Sequence, residues 1–183
     1  MQITTIILAG GKSKRMGTDK ALLELDGETL LQRSINLCKP FSSELLISSN
    51  HQSHTTFGYR VVEDEIKNCG PIGGIYSCLK QSSNDWNLVL SVDAAYVDSN
   101  FLEFLLSNTG DSDAVVPFTE KGAEPLIALY NKSMCPTMEI KLKSGDYRMQ
   151  NLLKEANTNW LDAGKLLEKN NRLFTNLNRP EDL

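Results

Sequence analysis

The sequence lacks the features that would place the protein in a membrane or on nucleic acid. Its 183 residues contain no apolar run near the roughly 18 residues that span a bilayer. The net charge of −4 argues against a protein that coats nucleic acid, so any basic surface must be local. The first segment, MQITTIILAGG, carries no charged region typical of a secretory signal. We therefore expect a cytoplasmic protein that binds neither membrane nor nucleic acid.

Cysteine and histidine are too scattered to build a metal centre. The four cysteines form no C-x-x-C pair, and neither of the two histidines lies near a cysteine in sequence. A zinc site or a disulfide framework is therefore not expected, and reduced thiols are. The sequence also has no repeat and no linker between domains, and 40% of its residues are hydrophobic. Length and composition predict a single domain, residues 1–183, with a sizeable core.

A glycine pair, Gly10-Gly11, follows a short apolar strand predicted over Thr4–Ala9. Four cations come next, with Asp19 as the only acid among them: Lys12, Lys14, Arg15 and Lys20. A strand that enters a glycine turn and then a group of cations is typical of phosphate-binding loops. The alternative is an exposed turn with solvated lysines.

Two familiar phosphate loops are absent. A Walker A loop needs a glycine that four residues separate from its Gly-Lys-Ser/Thr ending, and Ile6 occupies that position. The dinucleotide fingerprint G-x-G-x-x-G is missing because the two glycines are adjacent. The predicted phosphate loop therefore belongs to another class.

The rest of the chain alternates predicted strands and helices. The further strands are Glu44–Ser49, Tyr59–Val62, Trp86–Val92, Asp113–Phe118 and Glu124–Tyr130. The helices are Glu28–Phe41, a segment that follows the turn 69–74 and runs through Gln81, Ser99–Ser107, Ser133–Leu142 and Arg148–Ala156. This alternation predicts an α/β fold with a largely parallel sheet and ligands at the carboxyl ends of its strands. Pro117 and Pro125 cannot donate to a central ladder and predict edge or end positions.

Asp93 directly follows the strand predicted over Trp86–Val92. A carboxylate at the end of a buried strand is costly unless it is paired or binds a metal ion. Facing the cationic loop, it would suit Mg²⁺, which prefers one or two carboxylates together with phosphate oxygens. The alternative is a cap for the helix Ser99–Ser107, but Asp98 or Ser99 is better placed for that role.

The segment LAGG-x-x-x-R-M-G-x-D-K resembles the signature of the nucleotidyltransferases that share the GT-A-like fold. Within them it most resembles the molybdenum cofactor guanylyltransferases, the MobA-type enzymes. The final segment, with Asn176, Asn178 and Pro180, is similar to the terminal N-x-N-x-P-E-[DE]-L of that family. A strand over Leu173–Leu177 followed by a helix start at Pro180 is the structural alternative. The resemblance implies a Rossmann-like, three-layer fold with a mostly parallel mixed sheet flanked by helices.

The resemblance also implies an activity. It implies Mg²⁺-dependent transfer of GMP from GTP to phosphorylated molybdopterin, with release of pyrophosphate, and transient contact with molybdenum cofactor biosynthesis proteins or molybdoenzymes. Two alternatives stay open. One is another nucleotidyltransferase, such as a molybdopterin cytidylyltransferase or an enzyme acting on sugar or isoprenoid phosphates. The other is a non-catalytic nucleotide-binding adaptor.

Roles for individual residues follow from the same resemblance. It implies catalytic roles for Arg15, Lys20 and Asp93, with Asp93 also holding the metal. It implies nucleotide contacts from a larger set: Leu8, Ala9, Gly10, Gly11, Lys20, Ser48, Asp64, Gly70, Pro71, Gly74 and Asp93. It implies acceptor contacts from Arg148, Asn176 and Asn178. Three positions depart from the family pattern: Ser48 stands where some relatives have asparagine, Val92 where many have cysteine, and Ala95 where proline is usual.

Overall fold

A computed structural model of the protein describes residues 1–10 and 19–177. The strands are β1 (Ile3–Leu8), β2 (Glu24–Leu25), β3 (Glu28–Thr29), β4 (Glu44–Ser48), β5 (Arg60–Val62), β6 (Trp86–Ser91), β7 (Ala114–Thr119), β8 (Gly122–Ala123), β9 (Ile127–Asn131) and β10 (Thr158–Asp162). The α-helices are α1 (Leu30–Cys38), α2 (Pro71–Gln81), α3 (Ser99–Leu106), α4 (Cys135–Ser144), α5 (Met149–Glu155) and α6 (Gly164–Lys169). Within these described ranges, every helix is too short or too polar to cross a bilayer.

One large sheet organises the fold, with the strand order β10-β7-β9-β6-β1-β4-β5 and β8 paired to β7. Strand β1 pairs in parallel with β4 and β6, β4 with β5, and β7 with β10. Strand β9 is antiparallel to both of its neighbours, β6 and β7. The sheet is therefore mixed but mostly parallel, and β1, β4, β5 and β6 end at the same edge.

Helices cover both faces of the sheet. Strand β1 has apolar side chains on both of its faces, and each face is buried against a helix. Ile6 packs against Ile72 and Ile75 of α2, in a cluster that also holds buried residues of α4 and α5. Ile7 packs against Leu31 and Ile35 of α1, and α3 and α6 cover the same face further along the sheet. Full burial of each such side chain stabilises the fold by about 1.5–3 kcal/mol. The prediction of a three-layer α/β fold is confirmed.

The first helix starts later than the sequence predicted. Residues 28 and 29 form β3, which pairs with β2 in a separate two-stranded hairpin. Asp26 and Gly27 make its turn with φ angles of 56° and 81°, in the left-handed region that two-residue hairpin loops require. The Thr29 side chain then accepts a hydrogen bond from the Gln32 N–H at 3.2 Å, which caps α1. The predicted helix over Glu28–Phe41 was therefore too long at its start.

Pro117 lies in a strand that is not at the edge of the sheet. Strand β7 runs between β10 and β9, although proline predicted an edge or end position. The ladder between β7 and β9 involves only Ala114 and Val115 of β7, so Pro117 needs no N–H toward β9. Its carbonyl accepts a hydrogen bond from the Glu124 N–H at 2.9 Å instead. Pro125 precedes β9 and leaves that strand intact.

Two elements near the end of the chain were not predicted. Strand β10 forms the edge of the sheet, where Leu161 is buried but Trp160 is 42% exposed, and α6 follows it. An edge strand with one buried apolar side chain has too weak a pattern for detection. The predicted strand over Leu173–Leu177 is wrong, because these residues pair with no other strand. The side chains of Leu173 and Leu177 are instead buried in the core. The helix start at Pro180 lies outside the described residues.

Candidate active site

The candidate site is a cavity at the sheet edge where the parallel strands β1, β4 and β6 end. Its volume is about 670 Å³, within the size range of small-molecule sites. Seven of the residues predicted to contact a nucleotide line it: Leu8, Gly10, Ser48, Asp64, Gly70, Pro71 and Gly74. Ala9 is buried directly beside them, and its N–H donates to the Ser48 carbonyl at 3.0 Å. The fold thus brings together predicted residues from four separate segments of the chain.

Lys20 and Asp93 form an ion pair next to the cavity. The Lys20 Nζ lies 2.8 Å from Asp93 Oδ2, and both side chains are 19% exposed. The Ser91 hydroxyl donates to Asp93 Oδ1 at 2.5 Å, and Ser91 itself lines the cavity. The predicted cation and the predicted carboxylate therefore meet, although 73 positions separate them in sequence. The predicted Gly11 and Arg15 lie outside the described residues.

Asp64 projects from the segment after β5 and is held by a neighbouring amide. The Asn50 side chain donates to Asp64 Oδ2 and accepts from the Asp64 N–H, both at 3.3 Å. Partial burial raises the pKa of the Asp64 carboxyl above its usual value, while Asn50 and the charge of Lys67 act in the opposite direction. Within residues 1–10 and 19–177, Asn50 is the side-chain donor to this half-buried carboxylate, which has room to accept further N–H or O–H groups.

The start of helix α2 forms another wall of the cavity. Gly70 has a φ of 68°, which favours glycine, and Pro71 occupies the first turn, where its missing N–H is tolerated. Gly74 faces Ser48 and Asp64 so closely that a side chain has no room. A Cβ added at Gly74 would overlap the Ser48 hydroxyl and lie 3.2 Å from Asp64 Oδ1. Glycine is therefore needed here for close approach between α2 and the ends of β4 and β5.

Gly74→Ala is expected to weaken nucleotide binding about tenfold or more, because the new methyl group must displace two cavity-lining side chains. The measurement is nucleotide affinity by titration calorimetry. Ser48→Ala is the matched control, since it removes the overlapping hydroxyl and leaves Cβ 3.6 Å from the added methyl group. The double variant should recover much of the affinity that the single Gly74 variant loses. Full affinity in the single variant would contradict this packing argument.

Six further residues line the cavity that the sequence did not single out: Asn50, His51, Lys67, Asn68, Ser91 and Leu126. Three of them, Asn50, His51 and Lys67, follow the end of a predicted strand by only a few residues. Because ligands bind at the carboxyl ends of parallel strands, these three residues could have been predicted from the sequence. Leu126 carried no such signal. Leu126 reaches the cavity because β9 pairs antiparallel with β6. Its carbonyl accepts a hydrogen bond from the N–H of Ser91, another lining residue, at 2.9 Å.

Two of the residues predicted to contact an acceptor, Arg148 and Asn176, are not part of the cavity lining. Arg148 is exposed at the start of α5, directly after Tyr147, whose hydrogen bond with Cys69 raises the pKa of the Tyr147 hydroxyl. Asn176 is exposed, and the N–H of the next residue, Leu177, donates to the Asp93 carbonyl at 3.0 Å. Asn178 lies outside the described residues.

The segment 170–177, which we call the C-terminal strap, holds the turn that follows Asp93. The Asn170 side chain donates to the Tyr96 carbonyl and to Asp98 Oδ2, both at 3.1 Å. The Arg172 guanidinium lies 3.6 Å from the centre of the Tyr96 ring, a cation–π contact. These contacts hold the turn that contains Ala95.

The described residues contain no group of three or more His, Cys, Asp or Glu side chains arranged to hold a metal ion. The donor set at Asp93 is one carboxylate with a serine hydroxyl beside it. Such a set suits Mg²⁺ only when phosphate oxygens and water supply most of the ligands. The residues therefore fit a metal that is carried by a nucleotide rather than a resident metal centre.

Comparison with known proteins identifies the family. The profile of the MobA-like NTP transferase domain matches residues 5–160. A molybdenum cofactor guanylyltransferase from Vibrio parahaemolyticus is 33% identical over 100% of this chain and 93% of its own length. A probable molybdenum cofactor guanylyltransferase from Methanothermobacter thermautotrophicus is 34% identical over 97% of this chain and 95% of its own.

A solved structure shows the same architecture. Molybdopterin-guanine dinucleotide biosynthesis protein A from Archaeoglobus fulgidus superimposes with a TM-score of 0.82 and 23% identity, covering 98% of this chain and 94% of that one. Its likeness supports the fold, while the sequence matches over nearly full length carry the assignment. The chain therefore belongs to the family of MobA-like NTP transferases.

Proposed function

We propose that this protein transfers GMP from GTP to the phosphate of molybdopterin, forming the guanine dinucleotide form of the molybdenum cofactor and releasing pyrophosphate. The observation that carries the proposal is the Lys20–Asp93 pair next to a nucleotide-sized cavity, joined to its lining through Ser91. The names of the curated relatives, which are guanylyltransferases, support guanine as the base and molybdopterin as the acceptor.

Family membership confirms the prediction that the chain is a nucleotidyltransferase. The alternative of a non-catalytic adaptor has less support, because Lys20 and Asp93 are both present and in contact. Cytidylyl transfer to molybdopterin is also less well supported, because the similar proteins named above are guanylyltransferases.

The proposed reaction needs positioning and neutralisation of charge rather than a covalent intermediate. An oxygen of the acceptor phosphate attacks the α-phosphorus of GTP, and the bond from that phosphorus to the bridging β-phosphate oxygen breaks. Lys20 would contact the α-phosphate as a point charge, and Gly10 would contact phosphate through its N–H. In the same proposal, Gly11 adds a second N–H and Arg15 binds the leaving phosphates with its planar fork.

Asp93 would hold the Mg²⁺ that accompanies the nucleotide. Its oxygens now accept from Lys20 and Ser91, so the carboxylate is already orientated toward the cavity. When bound, the metal would neutralise charge on the phosphates of GTP and of the leaving pyrophosphate. Lys20 would then interact with the phosphates instead of with Asp93 alone.

The remaining assignments follow the geometry around the cavity. Leu8 and Ala9 would lie beside the base, with Ser48, Gly70, Pro71 and Gly74 forming the walls of the nucleotide site. Arg148, Asn176 and Asn178 would contact the acceptor. We also propose that residues 1–183 act as one domain in the cytoplasm, where the four free cysteines would stay reduced, and that the product passes by transient contact to other cofactor proteins or molybdoenzymes.

The test is a panel of the four NTPs, each with Mg²⁺, scored for binding and for pyrophosphate release with molybdopterin present. Release with GTP and molybdopterin together, and not with either alone, is the expected result. Preferential release with CTP would instead identify a cytidylyltransferase. Tight GTP binding without release under any condition would identify the adaptor.

Asp64→Asn is expected to weaken GTP binding about tenfold, because one acceptor oxygen becomes a donor that would face N–H or O–H groups. Contact with guanine predicts that GTP loses more affinity than ATP or CTP, whereas contact with ribose predicts equal losses. Because burial raises the pKa of Asp64, wild-type affinity should fall as the pH drops through that raised pKa, and the variant should not show this titration. Unchanged GTP affinity at neutral pH would exclude both contacts.

A further inference from the structure

His54 is a buried polar side chain that the mechanism above does not use. It lies in the 3₁₀ helix Gln52–Phe57, and its side chain is fully buried. Its Nε2 lies 2.8 Å from Asp19 Oδ2, and its ring centre lies 5.6 Å from that of His51, which lines the cavity. The imidazole therefore contacts both Asp19, which precedes Lys20, and a residue of the cavity lining.

Asp19 uses both of its oxygens, and each one fixes a different part of the structure. Oδ2 faces His54, whereas Oδ1 accepts from the Ala21 N–H at 3.1 Å and caps the 3₁₀ helix Lys20–Leu22. Lys20 is the first residue of that helix, and its Nζ reaches Asp93 at 2.8 Å. His54 therefore holds the carboxylate of Asp19, which caps the helix that begins at Lys20, and the Lys20 side chain in turn reaches Asp93.

The hydrogen bonding of His54 shows that packing alone does not account for a histidine here. An ionised carboxylate only accepts, so Nε2 carries the hydrogen and donates to Asp19. The other ring nitrogen, Nδ1, is buried and has no hydrogen-bond partner within residues 1–10 and 19–177. A buried polar atom without a partner lowers stability, and an apolar side chain of similar size would avoid that loss. The donor on Nε2 is the feature that an apolar residue cannot replace.

We infer that His54 is a positioning residue, which holds Asp19 and through it directs the Lys20 ammonium at the reacting phosphate. The inference rests on the role proposed above for Lys20. It adds a residue from a separate segment, 34 positions after Lys20 in sequence, to the groups that determine the rate. His54 itself touches neither the nucleotide nor Asp93 in this proposal.

The test compares His54→Leu and His54→Gln in the full chain, each alone and combined with Lys20→Ala. His54→Leu should lower kcat roughly tenfold, the factor expected when a hydrogen bond to a charged group is lost. His54→Gln keeps an N–H donor at similar reach and should retain about half of kcat or more. In the Lys20→Ala background, His54→Leu should lower kcat by less than about twofold, because a residue that acts through Lys20 has nothing left to position.

A stability control separates positioning from a general loss of structure. Phe57→Leu alters a ring that contacts His54 edge-on at 6.5 Å and leaves the bond to Asp19 intact. It should lower the melting temperature and leave kcat near that of wild type. Equal losses of kcat from His54→Leu in both backgrounds, or a normal kcat in His54→Leu alone, would overturn the inference.

The outcomes also distinguish this inference from the proposed function. No pyrophosphate release by the wild-type protein would reject the transferase proposal itself. Full activity of Lys20→Ala would reject the role of Lys20. An impaired Lys20→Ala together with a fully active His54→Leu would reject only the positioning role of His54.

Discussion

Replacing Asp93 by alanine is expected to lower turnover by about 10³-fold while the fold stays largely intact. The variant loses the carboxylate that the proposal assigns to the metal, and effects of this size follow from removal of one preorganised group that stabilises charge. Loss of the pair with Lys20 should change stability by about 1 kcal/mol, or about 2–4 °C in Tm for a chain of this size. Steady-state pyrophosphate release and thermal unfolding measure the two effects.

Asp113 offers a matched control for that experiment. Its carboxylate lies at the amino-terminal end of β7, whereas Asp93 follows the carboxyl-terminal end of β6. The Asp113 carboxylate accepts hydrogen bonds from the Asn157 N–H and the Ser133 hydroxyl, both at 3.2 Å. Asp113→Ala should lower stability by a similar amount and leave turnover unchanged. Normal Mg²⁺-dependent turnover in Asp93→Ala would remove Asp93 from the site.

Lys20→Ala is expected to reduce kcat/KM on the order of 10²-fold, because a point charge at the α-phosphate stabilises the transition state more than the bound substrate. Most of the loss should appear in kcat. Lys20→Arg should restore only part of it, since a planar guanidinium differs in shape and hydration from an ammonium. Initial rates over a range of GTP concentrations separate the two kinetic constants.

Lys80 is the matched control for Lys20. Its ammonium pairs with Glu65 at 2.7 Å, a distance similar to that in the Lys20–Asp93 pair, but on the exposed surface. Lys80→Ala should therefore change neither kinetic constant, and exposed pairs of this kind add little stability. A Lys20→Ala variant that behaves like Lys80→Ala would rule out charge stabilisation by Lys20.

The sequence was informative wherever a local pattern coincides with a strand end. A few consecutive residues are enough to recognise the glycines after β1, the carboxylate after β6 and the glycine-rich turn before α2. Parallel strands then bring their carboxyl ends to one edge of the sheet. The prediction that these segments share a site needed only the alternation of strands and helices. The roles of individual residues in that site stay predictions.

The features that escaped prediction depend on contacts between distant segments. His54 and Asp19 are 35 positions apart, and no local pattern marks a histidine whose partner is a carboxylate on another segment. Leu126 enters the cavity through antiparallel pairing of β9 with β6, which breaks the parallel alternation that the sequence suggested. Strand β10 has one buried apolar side chain and is defined by its neighbour β7 rather than by its own periodicity.

The C-terminal strap has a consequence for the way the molecule is made. Domains form from the amino terminus onward during synthesis, and strands β1 to β9 are complete once residue 131 has been added. The turn at Asp93 gains its hydrogen bond from the Leu177 N–H only after residue 177 has been added. A polypeptide that stops before residue 170 therefore has most of its sheet but lacks the hydrogen bond from Leu177 to the Asp93 carbonyl. We therefore expect the turn after Asp93 to be held in full only after residues 170–177 have been synthesised.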